Sequence, residues 1–242
     1  MLLPTVSRRY GYFDLDAMAG IGAAHHAAYA AAKPFPSIVF DDFLDPRILK
    51  TCLAHFPTRP DPDTSSFDGK YERRKRGYLP ERLHPNVRSI FYAFNSRPFI
   101  AFLEALTGIK GLIPDPYFRG GGFHELSDGG HLSVHADFNF HPVLKLERRI
   151  NALIYLNKNW REEYGGVLEL WASGHGPCVR RIVPEFNRAV IFNTATANFH
   201  GNPDPVRHPK GLPRRSIALY YYTATWNESS LEHSTIFAET LR

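Results

Sequence analysis

A chain of 242 residues, 43% hydrophobic and 22% charged, holds enough apolar material for a sizeable core and too much for a disordered chain. No apolar run reaches the roughly 18 residues of a membrane span. Two cysteines, Cys52 and Cys178, are too few for a disulfide scaffold or a structural zinc site, and the formal charge of +5 permits an anionic substrate without requiring one.

Residues 1–13 read as an irregular arm, and no apolar stretch follows Arg8 and Arg9 as a secretory signal would need. A reducing cytoplasm is therefore expected. Asp14 to Ala32 is alanine-rich, with Asp14 or Asp16 available as N-cap, and predicts a helix that Lys33-Pro34-Phe35-Pro36 ends. Ser37 to Phe40 is a short apolar strand, and Leu44 to Phe56 a helix opened by Asp45-Pro46. Thr58 to Pro80 is polar and aperiodic. Its cations Lys70, Arg73, Arg74, Lys75 and Arg76 are interrupted by Glu72 and accompanied by no base-stacking motif, which speaks against nucleic acid. A mobile flap beside a site is the better expectation. Asn86 to Phe94 and Pro98 to Leu106 predict two further helices, the second closed by Gly108.

From Asp115 onward the pattern changes to strands. They are Tyr117–Arg119, Phe123–Leu126, Leu132–Phe138, Ile150–Leu156, Val167–Trp171, Val179–Val183, Ala189–Phe192 and Ser216–Tyr222. Gly129-Gly130 reads as a turn feeding one of them. The expected class is mainly β with supporting helices (α+β), built as an antiparallel sandwich or barrel. The division expected near residue 110 separates an arm, first strand and supporting helices (1–110) from a β-core (111–242) within one domain. Arg119-Gly120-Gly121-Gly122 fails as a phosphate loop because no Gly-Lys-Ser/Thr follows. Asn227-Glu228-Ser229 matches a glycosylation sequon, which has no use in a cytosolic protein.

The chemistry gathers around His135-Ala136-Asp137, an imidazole and a carboxylate on one face of a strand. By itself this is equally a His bonded to a nearby carboxylate. A remote His200 could complete a facial set of two His and one carboxylate, which suits non-haem Fe(II) that must also bind a cosubstrate and O₂. Asn139 and His141 point the way of His135 if the strand persists, and with Asn151 they are candidate substrate contacts. Asn151, Leu153 and Tyr155 share one strand face, and Arg215, Ile217, Leu219 and Tyr221 another. A guanidinium heading an apolar strand needs an anion, which a dicarboxylate could supply. The alternatives are ordinary aromatic core for Tyr155 and Tyr221 and a surface ion pair for Arg215.

Residues 115–226 resemble the prolyl-4-hydroxylase-type family of Fe(II)- and 2-oxoglutarate-dependent dioxygenases. The shared marks are His-x-Asp, the run from Arg148 through Tyr155-Leu156-Asn157 to Trp160, Gly165-Gly166-Val167-Leu168, the distal His200, and an Arg opening the last core strand. Pro34 to Pro46 also resembles the opening of such domains. The resemblance implies a double-stranded β-helix of jelly-roll or cupin-like form, with His135, Asp137 and His200 as iron ligands. It further implies that Arg215 binds the far carboxylate of 2-oxoglutarate, assisted by Tyr155. Leu153 and Leu168 would line that pocket, with Tyr221 as its wall. The implied reaction hydroxylates an unactivated C–H of a small-molecule or peptide substrate with O₂, releasing succinate and CO₂, with ascorbate a candidate reductant. The Asn198–Pro213 insert departs from the family, so proline hydroxylation does not transfer automatically. The competing reading is a cupin-like metal- or ligand-binding protein without oxygenase activity, which would not need an Arg–Tyr pair.

Overall fold

A computed structural model describes residues 1–7, 12–224 and 231–240, so Arg8-Arg9 and the Asn227–Ser229 sequon lie outside the described residues. The expected arm carries a two-stranded ribbon, β1 (Thr5–Ser7) with β2 (Tyr12–Phe13). Asp14 then accepts the Ala17 N–H at 2.8 Å and opens α1, Leu15–Ala31. After β3 (Ser37–Phe40), Asp45 caps and Pro46 begins α2, Pro46–Ala54. Helices α3 (Pro85–Phe94) and α4 (Arg97–Thr107) follow, and Gly108 ends α4 in the left-handed conformation at φ 77°. α1 crosses α4 at Gly22, where a Cβ would stand 2.3 Å from the Phe102 carbonyl oxygen.

The polar, aperiodic stretch expected as a mobile flap folds as a hairpin, β4 (Ser65–Phe67) and β5 (Glu72–Tyr78). Its outer residues face solvent, so no apolar alternation marks it in the sequence. β5 docks along a long strand of the β-core, from Glu72 opposite Leu132 to Tyr78 opposite Phe123. The expected strand at Tyr117–Arg119 is a turn, with Phe118 at φ 47°. That turn follows the short β6 (Ile113–Pro114).

The β-core comprises β7 (Gly122–Ala136), β8 (Glu147–Tyr155), β9 (Leu168–Trp171), β10 (Cys178–Ile182), β11 (Ala189–Asn193), β12 (Phe199–Asn202), β13 (Arg214–Thr223) and β14 (Ile236–Phe237). Pairing between these strands is antiparallel, in the order β10-β9-β12-β7-β13-β8-β11-β3. β7 belongs to both halves of the sheet: Gly122–Leu126 pair with β13, whereas Leu132 and His135 pair with β12. Gly129-Gly130 is therefore no turn between two strands but a distortion inside one. Gly129 sits at φ 75°, and a Cβ on Gly130 would meet the Ser127 oxygen at 2.7 Å. The sheet curls into the double-stranded β-helix.

One face of this sheet packs on the helices. Ile150, Ala152 and Ile154 of β8 and Ile217, Leu219 and Tyr221 of β13 join Phe91, Phe94, Phe99 and Phe102 in one buried cluster. Tyr221 is thus corrected from cavity wall to helix-facing core: its hydroxyl donates to the Phe94 carbonyl at 3.2 Å. The opposite face lines the interior of the curl.

Gly22→Ala should force α1 away from α4 and cost about 1–3 kcal/mol of stability, the usual range for overpacking. Chemical denaturation reads this as a lower midpoint, and an unchanged midpoint would refute the contact.

Candidate metal centre

β12 lies antiparallel to β7 with His200 directly opposite His135, so two strands distant in sequence bring their imidazoles side by side. The ring centroids are 4.5 Å apart. Asp137 follows immediately on the end of β7. Its Oδ1 stands 3.6 Å from His135 Nε2 and its Oδ2 3.4 Å from His200 Nε2. One ligand atom from each of the three residues lies within 4.8 Å of the others, the sole such His/Cys/Asp/Glu group among the described residues.

The protonation pattern suits a cation. His135 Nδ1 is 2.8 Å from the Ser133 carbonyl and His200 Nδ1 3.3 Å from that of Asn198. A carbonyl can only accept, so each Nδ1 carries a proton, and in the neutral ring it is Nε2 that presents a lone pair to the centre. Burial pulls His200 down to about 4 against the opposing pull of Asp137, so the ring is neutral at ordinary pH. Burial alone would raise the Asp137 carboxyl, but Arg148, His200 and His135 together hold it well below its usual range.

Behind the carboxylate stands a buried support. Asn151 Nδ2 donates to Asp137 Oδ2 at 2.8 Å, and Arg148 Nη2 lies 3.2 Å from the same oxygen. Arg148 also donates to Asn151 Oδ1 from Nε and Nη2, at 3.1 and 2.7 Å, and its guanidinium lies between the Phe138 and Tyr220 rings. The amide of Asn151, expected as a substrate contact, is therefore engaged by Asp137 and Arg148.

The three candidate ligands open onto a cavity of about 520 Å³ that Asn151, Leu153, Leu168, Asn202, Arg214 and Tyr220 also line. Leu153 and Leu168 line this cavity. Arg215 does not. It points to the outer side of β13, where Nε donates to Glu125 Oε2 at 2.9 Å and the guanidinium covers the Phe56 ring. Its neighbour Arg214 lines the cavity instead, on the face shared with Ser216 and Tyr220. Tyr155 lies behind the cavity wall, fully buried, with its hydroxyl 3.4 Å from Arg214 Nη2. Burial raises the Tyr155 phenol and lowers Arg214, each opposed by the other.

The glycine pair Gly165-Gly166 makes room for Arg214. A Cβ on Gly166 would meet Arg214 Cδ at 2.7 Å, and the Gly166 carbonyl accepts the Arg214 Nε–H at 2.7 Å. Asn157 fixes the start of β13 by accepting the Arg215 N–H at 2.6 Å, and Trp160 Nε1 donates to the Gly165 carbonyl at 3.0 Å. The Tyr-Leu-Asn-x-x-Trp run thus builds the housing of Arg214.

Asn139 and His141 fall outside the cavity because β7 ends at Ala136 and the chain turns away. Asn139 instead bonds the chain at Leu231 and His233, while His141 is fully buried against Asp115. Sequence reasoning also missed Arg148, Asn202 and Tyr220. Tyr220 shares strand parity with Arg214, so the correct parity would have found it.

Residues 121–222 match the family model of the 2OG-Fe(II) oxygenase superfamily. Among solved structures, a prolyl-4-hydroxylase from Pseudomonas putida is similar at 16% identity, covering 88% of this chain and 100% of its own, with a TM-score of 0.57. A prolyl hydroxylase from Trichoplax adhaerens, solved with a hypoxia-inducible-factor peptide fragment, shows 15% identity over 86% of this chain and 91% of its own, at 0.55. HygX from Streptomyces hygroscopicus, solved with nickel and 2-oxoglutarate, shows 12% identity over 82% and 92%, at 0.57. Nothing among curated protein sequences matches the chain. At these identities the structural likenesses establish the fold, and the family match names the domain built on it. Residues 121–222 form a domain of the 2OG-Fe(II) oxygenase superfamily, folded as a double-stranded β-helix.

Proposed function

We propose that His135, Asp137 and His200 hold Fe(II), that Arg214 takes the far carboxylate of 2-oxoglutarate, and that the protein hydroxylates a C–H bond of a small-molecule or peptide substrate. The observation that carries the cosubstrate assignment is Arg214 itself. It is 5% exposed, and no carboxylate lies within ion-pair range of it among the described residues. A buried cation without a counter-charge costs several kcal/mol, which an entering carboxylate offsets. Asn202 adds a second demand, since its buried Nδ2 on the same cavity wall has no acceptor. Arg214 is a planar donor already aimed by the Gly166 carbonyl and the Tyr155 oxygen, so a carboxylate meets a pre-set fork.

Bound Fe(II) with 2-oxoglutarate and O₂ supplies an oxidant for an unactivated C–H bond, with succinate and CO₂ as the cosubstrate's products. The chain's own residues bind, orient and exclude. His135 and His200 turn their Nε2 atoms to the centre, and Asp137 supplies a carboxylate that stays ionised. Asn151 and Arg148 hold Asp137 Oδ2 and so set which oxygen faces the centre. Leu153 and Leu168 give the cavity part of its apolar lining. A purely metal-binding cupin would have no use for a buried, unmatched Arg214. Cys52 and Cys178 are free thiols, in keeping with a cytoplasmic setting, and no helix among the described residues is long and apolar enough to cross a membrane.

Alanine at His135, Asp137 or His200 should remove most Fe(II) binding, read as metal content after anaerobic loading; full occupancy in all three variants would sink the metal assignment. Asn151→Ala should weaken metal binding by about 10–100-fold, the usual effect of losing an outer-shell partner, with 2-oxoglutarate affinity of the loaded protein nearly unchanged. Titration calorimetry with Mn(II) separates the two constants. Arg214→Met should lower 2-oxoglutarate affinity by at least about 100-fold without lowering the stability of the ligand-free protein, because it removes an uncompensated buried charge. Arg215→Ala should change that affinity by no more than about twofold while lowering stability, because it leaves the buried Glu125 carboxylate without its partner. The reverse ranking of the two arginines would overturn the correction.

A further inference from the structure

The cavity wall carries four cations, and three are accounted for. Arg148 is held by Asp137 and Asn151, Lys75 Nζ lies 2.8 Å from Glu72 Oε1, and Arg214 is matched to the cosubstrate. The fourth, Arg119, is exposed, and its guanidinium meets no carboxylate, carbonyl or ring among the described residues.

The segment presenting Arg119 is unusually constrained for a surface turn. The Asp115 carboxylate accepts the Tyr117 N–H at 2.7 Å on Oδ1 and the Arg119 N–H at 2.6 Å on Oδ2. Asp115 is itself buried against His141, whose Nε2 lies 3.3 Å from Oδ1. His141 Nδ1 accepts the Val143 and Leu144 N–H groups, which leaves the ring proton on Nε2, facing Asp115. On the far side, Gly121 N–H donates to the Phe118 carbonyl at 2.9 Å, and His124 Nε2 lies 2.9 Å from the Gly120 oxygen. Between these ties Phe118 is held at φ 47°, a conformation that bulky residues rarely adopt.

A buried Asp–His pair and a strained aromatic residue thus fix a turn whose outward product is one unpaired guanidinium at the cavity. The turn also lies against aromatic rings, for a Cβ on Gly120 would stand 3.4 Å from Tyr220 Cε2 and 3.8 Å from Phe138 Cε1. We propose that Arg119 reads an oxyanion on the substrate, a carboxylate or phosphate borne by an apolar or aromatic body that lies along the wall of Phe138 and Tyr220. The inference rests on the reading that 2-oxoglutarate occupies Arg214. Asp115 and His141 are then positioning residues, and they act through the backbone of the turn.

The test uses the full chain loaded with Zn(II) and saturating 2-oxoglutarate, titrated with phenylacetate, phenyl phosphate and the neutral phenylacetamide and followed by ligand-observed NMR. The wild type should bind at least one anion saturably and prefer it to the amide. Arg119→Gln should lose about tenfold of that affinity, the scale of one charge-assisted contact, while binding the amide and 2-oxoglutarate as before. Whichever anion is preferred tells carboxylate from phosphate. The proposal is overturned if the wild type shows no preference for either anion, or if Arg119→Gln retains the preference. Loss of 2-oxoglutarate binding in Arg119→Gln would equally overturn it. Failure of the cosubstrate reading is seen in a separate titration, as wild-type 2-oxoglutarate affinity in Arg214→Gln.

Discussion

Neighbouring side chains on a strand must point to opposite faces, and in this protein the two faces meet different surroundings. On β8 and β13 one set of residues is pressed against α3 and α4, while the alternate set looks into the curl of the sheet. The register between the strands locks the sets together: Ser216 opposes Tyr155, Ala218 opposes Leu153 and Tyr220 opposes Asn151. A slip of one residue would bring Arg215 into the cavity and put Arg214 against the phenylalanine core. Register here decides chemistry as well as packing.

Buried charge is distributed unevenly within that cavity. Arg148 and Asp137 compensate each other, and Asn151 satisfies what they leave over. Such a pair holds its geometry because breaking it strands a charge in a poor solvent. Arg214 has only neutral oxygens for company. One end of the site is thus electrostatically complete, while the other lacks an anion. That asymmetry distinguishes the part of the site that is compensated within the protein from the part suited to an entering anion.

Much of this arrangement is legible in the sequence. Asp14, Asp45-Pro46 and Gly108 mark helix ends through local chemistry, and His-x-Asp with a distal His marks the candidate ligand set. What misled was the apolar run Ile217, Leu219, Tyr221, which looks like the wall of a ligand pocket. In a sheet backed by helices the more apolar face goes to the helices, so the mixed face of Arg214, Ser216, Ala218 and Tyr220 lines the cavity. The β4–β5 hairpin was hidden because its residues are mostly polar and solvent-facing, leaving no hydrophobic period to read. The unbroken course of β7 was hidden because Gly129-Gly130 is as good a signal for a distortion as for a turn.

The turn that carries Arg119 and the β4–β5 hairpin are both attached to the rim of the sheet, and neither supplies a candidate metal ligand. Their anchors, Asp115 with His141 and the outer edge of β7, are also separate from the groups that hold Asp137. The protein therefore keeps recognition and reactivity on different pieces of backbone. Such a division makes the scaffold retargetable: an exchange of rim segments could give the same oxidising interior a new clientele.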